Sequence, residues 1–356
     1  MQTIKGPALF IAQFIDADPQ LRSLDGIAAF AAASGFTALQ IPTFVPHVFD
    51  LAQAAESQSY CDDVRGALAK HGLGISELTS QRQGQLMAVH PAYDRTLAHF
   101  GPEQTRRDPA ARQAWAARQL QLAAAASRRL GLDRHVTFSG SLLWPYFYPY
   151  PPAPAGLIDE GFRELARRWR PILDAFDDAG VDLCFELHPT EDLHDGVTFE
   201  RFLDLTDHHR RCNLLYDPSH FLLQHMDYLG FIDIYHARIK AFHVKDAEFV
   251  MSARSGVYGG YQEWRQRAGR FRSPGDGSID FKSIFSRLTN YGFDGWATLE
   301  WECCLKNRYD GAREGAALIR RNIIAVTAAA FDAPMQAAVP RDEIRAILGT
   351  DRDTSA

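Results

Sequence analysis

Residues 181–189 read VDLCFELHP. A short apolar run of strand length ends in Glu186 and is closed by Pro189. A carboxylate at the tip of a run fit to be buried on both faces is costly unless something pairs with it. The same pattern recurs three times downstream: NLLYDPSH at 213–220 carries Asp217, IKAFHVKDA at 239–247 carries His243, and WATLEWE at 296–302 carries Glu300. Four runs that each finish in an oxygen or nitrogen ligand imply that the four ends converge. Parallel strands closed into a barrel converge in this way at their C-terminal ends.

Upstream of these runs lie four more of the same kind, at 8–15, 36–42, 74–79 and 135–139, so that strands five to eight are 181–187, 213–217, 239–245 and 296–302. Between them the apolar residues recur at three- and four-residue steps, most clearly over 112–130, 162–179 and 311–331, which predicts helices. Gly35, Gly72, Gly131, Gly180 and Gly292 stand just past helical stretches, where a left-handed cap ends the helix. Eight βα units with no second compositional block predict an α/β protein, a (β/α)₈ TIM barrel in one domain over 1–332. No GxGxxG follows the first strand, which argues against an open dinucleotide-binding sheet. Extended βα loops are expected at 81–110, 141–157 and 246–279, all rising from the face where barrels build active sites. Residues 333–356, with Pro334, Pro340 and an amphipathic piece at 341–348, form a short C-terminal appendage.

The 356 residues are 46% hydrophobic and 23% charged, with a formal net charge of −6. That balance gives no electrostatic reason to expect nucleic acid. Neither a basic leader with a cleavage site nor a run of about 18 apolar residues occurs, so no membrane contact and a cytoplasmic location are expected. Cys61, Cys184, Cys212, Cys303 and Cys304 contain no CxxC pair, which argues against a disulfide framework or a thiolate zinc site. A small molecule is the expected partner.

Glu186, Asp217, His243 and Glu300 together offer hard oxygens and one imidazole, a set suited to Mn²⁺, Mg²⁺, Co²⁺ or Zn²⁺. The motifs ELHP, DPSH, HVKD and LEWE resemble, in order and on strands five to eight, those of the xylose-isomerase-like TIM barrel superfamily of sugar phosphate isomerases and epimerases. The similarity runs from Ala8 to Phe331. The resemblance implies one divalent metal ion, Mn²⁺ first among the four, held by those residues, with His220 contacting substrate. It also implies that Glu186 and Glu300 are the catalytic, proton-transferring pair, as in the ketose 3-epimerases of this group. Those enzymes carry an arginine six residues beyond the metal-binding histidine. This chain has Phe249 there and Arg254 later, so its substrate clamp must differ.

The expected activity is that of a metal-dependent isomerase or epimerase acting on a keto-sugar or related polyol through an enediolate, formed when a polarised carbonyl acidifies the neighbouring C–H. Loss of a β-substituent from the same enediolate would instead make a metal-dependent lyase, acting on a 3-keto sugar by β-elimination or by cleavage of a C-glycoside or keto-glycoside. A DNA-repair endonuclease of the superfamily would need further histidines, and 246–279 has none. A non-catalytic sugar-binding barrel would have lost a ligand. For substrate contact, Glu77 and Gln40 at strand ends, His188 and Lys245 two residues past ligands, and Arg272 are candidates. For His188 and Lys245, hydrogen bonding behind the ligands or plain packing are equally open. Arg265, Arg267, Arg270 and Arg272 fall in one segment expected to loop over the mouth, where arginine forks would meet an anionic group. Glu302 is read as facing away from the axis. His194, His208, His209, His225 and His236 are read as solvated. The run from Trp144 to Tyr150 could stack on sugar faces, pack as a loop, or join subunits. With the tail it suggests a homo-oligomer.

Overall fold

The computed structural model describes residues 3–333 and 338–350. Eight parallel strands close a barrel: β1 (Lys5–Phe10), β2 (Ala38–Pro42), β3 (Gly74–Thr79), β4 (Arg134–Thr137), β5 (Asp182–Glu186), β6 (Cys212–Tyr216), β7 (Ile239–Val244) and, after an inserted hairpin of β8 (Asp246–Phe249) and β9 (Gly269–Arg272), β10 (Trp296–Leu299). The barrel closes through β1 pairing with both β2 and β10. Each expected strand is present, the third over the expected 74–79 and the others with shifted ends. The first runs over Lys5–Phe10 rather than 8–15, because Ile11 and Phe14 are buried in a turn that follows it, with Phe14 N–H donating to the Ile11 carbonyl. All five helix-terminating glycines have positive φ, between 71° and 93°.

The period-2 alternation of a strand decides what faces inward. On β5, Leu183 and Phe185 face the helices, and the Phe185 ring meets Trp169 edge-on at 4.8 Å. Cys184 takes the other face and joins Val136, Leu215 and Ala241 in a small cluster separate from the main core. Glu186, Asp217 and His243 lie two residues beyond Cys184, Leu215 and Ala241, so they share the inward face one layer nearer the mouth. Trp169, on the helix Leu157–Ala179, is fully buried, and its indole N–H donates to the Ser139 carbonyl at 2.9 Å. Trp169→Ala should therefore cost about 3–5 kcal/mol through the cavity it leaves. Urea unfolding should show this as a lower midpoint at unchanged slope.

The long connections are not plain loops. In 246–279 the alternating DAEF and GRFR segments pair as an antiparallel hairpin, Asp246 opposite Arg272. Asp246 locks the following turn, its carboxylate accepting from the N–H groups of Ala247, Gly275, Gly277 and Ile279 at 2.8–3.3 Å. The helix expected over 311–331 spans Arg308–Asn322 and stops where the β-branched Ile323 turns extended (φ −65°, ψ 124°). Chain contacts mark a barrel unit, Thr3–Ile324, and a second, small unit containing Ala325 onward, whose described part includes the helix Arg341–Ile347. Pro334 and residues 351–356 of the expected appendage lie outside the described residues. No helix among the described residues is long and apolar enough to cross a membrane.

Candidate metal centre

Glu186, Asp217, His243 and Glu300 meet at the C-terminal mouth of the barrel, all buried, with one ligand atom from each within 4.8 Å of the others. Each is aimed by a local device. Asp217 caps the helix Pro218–Leu223, where its Oδ1 accepts from Ser219 N–H at 2.8 Å and leaves Oδ2 facing the centre. His243 donates from Nε2 to the Gln40 carbonyl oxygen at 3.0 Å, which turns Nδ1 to the cluster. Gln40 is held in turn by Glu77, whose Oε2 accepts from the Gln40 amide and from the Thr298 hydroxyl, both at 3.4 Å. Two glutamines brace the outer carboxylates: Gln81 donates to Glu186 at 2.6 Å and Gln13 to Glu300 at 3.1 Å.

Asp217 Oδ2, His243 Nδ1 and Glu300 Oε2 are buried atoms with no hydrogen-bond partner. His243 Nδ1 and Glu300 Oε2 nevertheless stand 2.8 Å apart. Three buried carboxylates and one imidazole converge here with Asp217 Oδ2 unpartnered, a donor set that fits one divalent ion; without such an ion a proton on Nδ1 would join His243 to Glu300. Electrostatics agree. Burial raises the Glu186 and Asp217 carboxyls above their usual range, and for Glu186 the neighbouring Glu300 adds to it. Burial alone would depress His243, but the surrounding carboxylates, Glu300 first, outweigh it and push the imidazole up to about 9.

Lys245 supplies a buried positive charge beside the cluster, with Nζ 2.9 Å from Glu302, 3.3 Å from Glu300 and 3.8 Å from Asp217. Burial works against that charge, yet Glu300 and Glu302 hold its pKa well above the ordinary lysine value. His220 Nε2 lies 3.2 Å from Glu186 Oε1, 3.4 Å from Asp217 Oδ2 and 3.5 Å from Lys245 Nζ. The His188 ring meets it at 4.1 Å. A cavity of about 1470 Å³ opens above, lined at its floor by Gln13, His188, His220 and Glu302.

Glu302 therefore faces the site, contrary to the expectation that it turns away: residues two apart on extended chain share a side. Glu77 does not line the cavity but lies beneath the cluster, fully buried. Arg272 is likewise drawn off, its guanidinium bonding Glu248 at 2.7 Å, and Arg270 shares that carboxylate. Of the four arginines only Arg267 lines the cavity. His194, expected in solvent, also lines it. Gln13, Gln81, Trp264 and Arg308 were not foreseen. Only Gln81 carried a signal, because it opens the connection after the third strand.

A model of the xylose isomerase-like TIM barrel family matches residues 28–322, and the chain belongs to that family. It is an enzyme-family fold with sugar-modifying relatives. An inosose dehydratase of Bacillus velezensis is 34% identical over 125 residues, covering 35% of this chain and 41% of that enzyme. An inosose dehydratase of Lacticaseibacillus casei is 28% identical over 153 residues, covering 40% of this chain and 48% of that one. The matched stretches thus span less than half the length of these two relatives. Among solved structures, the 3-keto-D-glucoside 4-epimerase from E. coli superposes with a TM-score of 0.60 at 13% identity, over 90% of this chain and all of that one.

Proposed function

We propose that the protein is a divalent-metal-dependent lyase that removes water from a keto-polyol ring, with Glu186, Asp217, His243 and Glu300 as ligands. A divalent ion bound there would supply Lewis acidity to the substrate carbonyl and make the adjacent C–H more acidic. Glu300, with one oxygen held by Gln13, is placed to take that proton. The electron pair moves into the enediolate, the bond to the β-hydroxyl breaks, and the departing oxygen needs a proton to leave as water. The Lys245–His220 pair is suited to deliver it and carries the reading: burial depresses the His220 imidazole to about 4, so it is neutral and relays a proton from the Lys245 ammonium to the leaving oxygen. His220 lines the cavity while its Nε2 touches both Glu186 and Lys245, so a donated proton can be replaced from behind. The curated relatives that bear a dehydratase name favour the same outcome.

Epimerisation is the second reading. It is favoured by the near-symmetric pair Glu186 and Glu300, each a ligand and each braced by a glutamine, which suits withdrawal of a proton from one face and return to the other. One experiment separates the two. The enzyme supplied with Mn²⁺ is incubated in deuterated water with keto-inositols and keto-sugars, and products are read by mass and NMR. Loss of one water with deuterium exchange beside the carbonyl is expected. Retained mass apart from deuterium, with inverted stereochemistry, would favour epimerisation. Neither exchange nor product across both substrate classes would overturn the shared chemistry.

A further inference from the structure

Above its polar floor the cavity is lined by aromatic rings interspersed with His194, Asp195, Gln224 and Arg267, and the volume far exceeds one sugar ring. At about 1470 Å³ it is larger than the roughly 300–1,000 Å³ of ordinary ligand pockets. One wall climbs from the floor as a ladder of rings: Phe271 stands edge-on to His220 at 5.6 Å, and Trp264 packs on Phe271 at 4.8 Å. The facing wall is Trp144 stacked on Phe147 at 4.7 Å and 9° between planes. Tyr258, from the chain between β8 and β9, packs on that second wall, meeting Phe147 at 5.9 Å and Tyr148 at 6.0 Å. These rings come from separate connections, 141–157 and the β8–β9 hairpin with the chain it carries, and hydrogen bonds anchor the first at its base. Asp192 fixes the first, accepting from the Ser141 hydroxyl and from the N–H groups of Leu142 and Leu143 at 2.8–2.9 Å.

Tyr258 and Trp264 remain 63% and 46% exposed. Large aromatics left open to water normally mark a binding surface, and here they surround a concave volume continuous with the metal centre. Resting on the reading above, we infer that the substrate is a conjugate: a polyol ring at the floor carrying a flat apolar substituent, an aromatic aglycone, that lies between the Trp264–Phe271 and Trp144–Phe147 walls. A second sugar is the competing occupant, since its C–H faces can stack on the same rings and Arg267 lies 5.1 Å over Trp264 to meet its hydroxyls, but it buries less apolar area against them. An aromatic group gains from ring stacking and from area removed from water.

The test is binding of inert glycosides, which involves no proton transfer and so stands apart from the exchange experiment. Titration calorimetry on the Mn²⁺-supplemented full chain compares phenyl β-glucoside, methyl β-glucoside and cellobiose. The phenyl glucoside should bind at least about tenfold more tightly than either of the others, a difference of about 1.4 kcal/mol. Trp264→Ala should narrow the phenyl-to-methyl ratio to within about threefold, and Trp264→Phe, which keeps a ring, should restore most of it. Equal affinity for phenyl and methyl glucosides, no binding of any of the three, or tightest binding of cellobiose would each overturn the aromatic subsite. A phenyl preference untouched by Trp264→Ala would do the same. If the preference holds while proton exchange is absent, the subsite stands and the dehydration reading fails.

Discussion

Glu300→Gln and Glu186→Gln should each lower turnover by at least about 10²-fold, the contribution expected of acid–base catalysis alone, while far-UV circular dichroism stays that of the parent. The amide keeps the shape of the side chain but cannot carry a proton between substrate and solvent. It also places an N–H where one now finds an acceptor. Glu186 accepts from Gln81 on one oxygen and faces His220 with the other, and Glu300 accepts from Gln13 and faces Lys245 and His243. In Glu300→Gln, Lys245 loses one of its two nearest counter-charges and keeps Glu302. Both residues are also placed as ligands, so exchange at the carbon beside the carbonyl should be measured with metal in excess, to separate lost affinity from lost proton transfer. Near-parental exchange in both variants would show that neither carboxylate moves the proton.

The fold was legible because the barrel repeats one physical unit. Each strand is an apolar run closed by Gly, Pro or Asp, and the helices between them show the three- to four-residue spacing of a buried stripe. The ligands were legible for a related reason: Glu186, Asp217 and Glu300 are carboxylates at the tips of apolar runs, which local folding alone does not explain. What escaped was anything decided by contacts between distant segments. Arg272 was read from charge alone, and its partner Glu248 lies on the opposite strand of a hairpin whose alternation was taken for a loop. Glu77 looked like a rim residue, but the pleat sends it inward beneath the ligands, to hold Gln40 and through it His243. Gln13 lies in the turn after β1, and Gln81 opens the short helix Gln81–Gln85 after β3. Their amides matter only because closure of the barrel brings each to a carboxylate from a remote strand. The missed orientation of Glu302 was an error about strand geometry rather than a missing signal.

Purified without added metal, the protein should carry close to one divalent ion per chain, and His243→Ala should abolish that content in elemental analysis. The graded companion is Gln40→Ala. Removing a group that only orients a ligand typically weakens metal binding about 10- to 100-fold, and deleting the ligand itself should exceed that. Gln40 touches no ligand atom that faces the centre. It accepts from His243 Nε2, so its loss frees the imidazole to rotate or to take the other tautomer, and Nδ1 then spends less time aimed at Asp217 and Glu300. The order of affinity should be parent, then Gln40→Ala, then His243→Ala, read by competition with a fluorescent chelator. Thermal stability should follow the same order only when metal is present, since an ion at 100 times its dissociation constant adds about 2.7 kcal/mol to the folded state. Chelator treatment should lower the melting temperature of the parent and leave that of His243→Ala unmoved. Parental metal affinity in His243→Ala would mean that the four side chains form a buried polar network and the ion is held elsewhere.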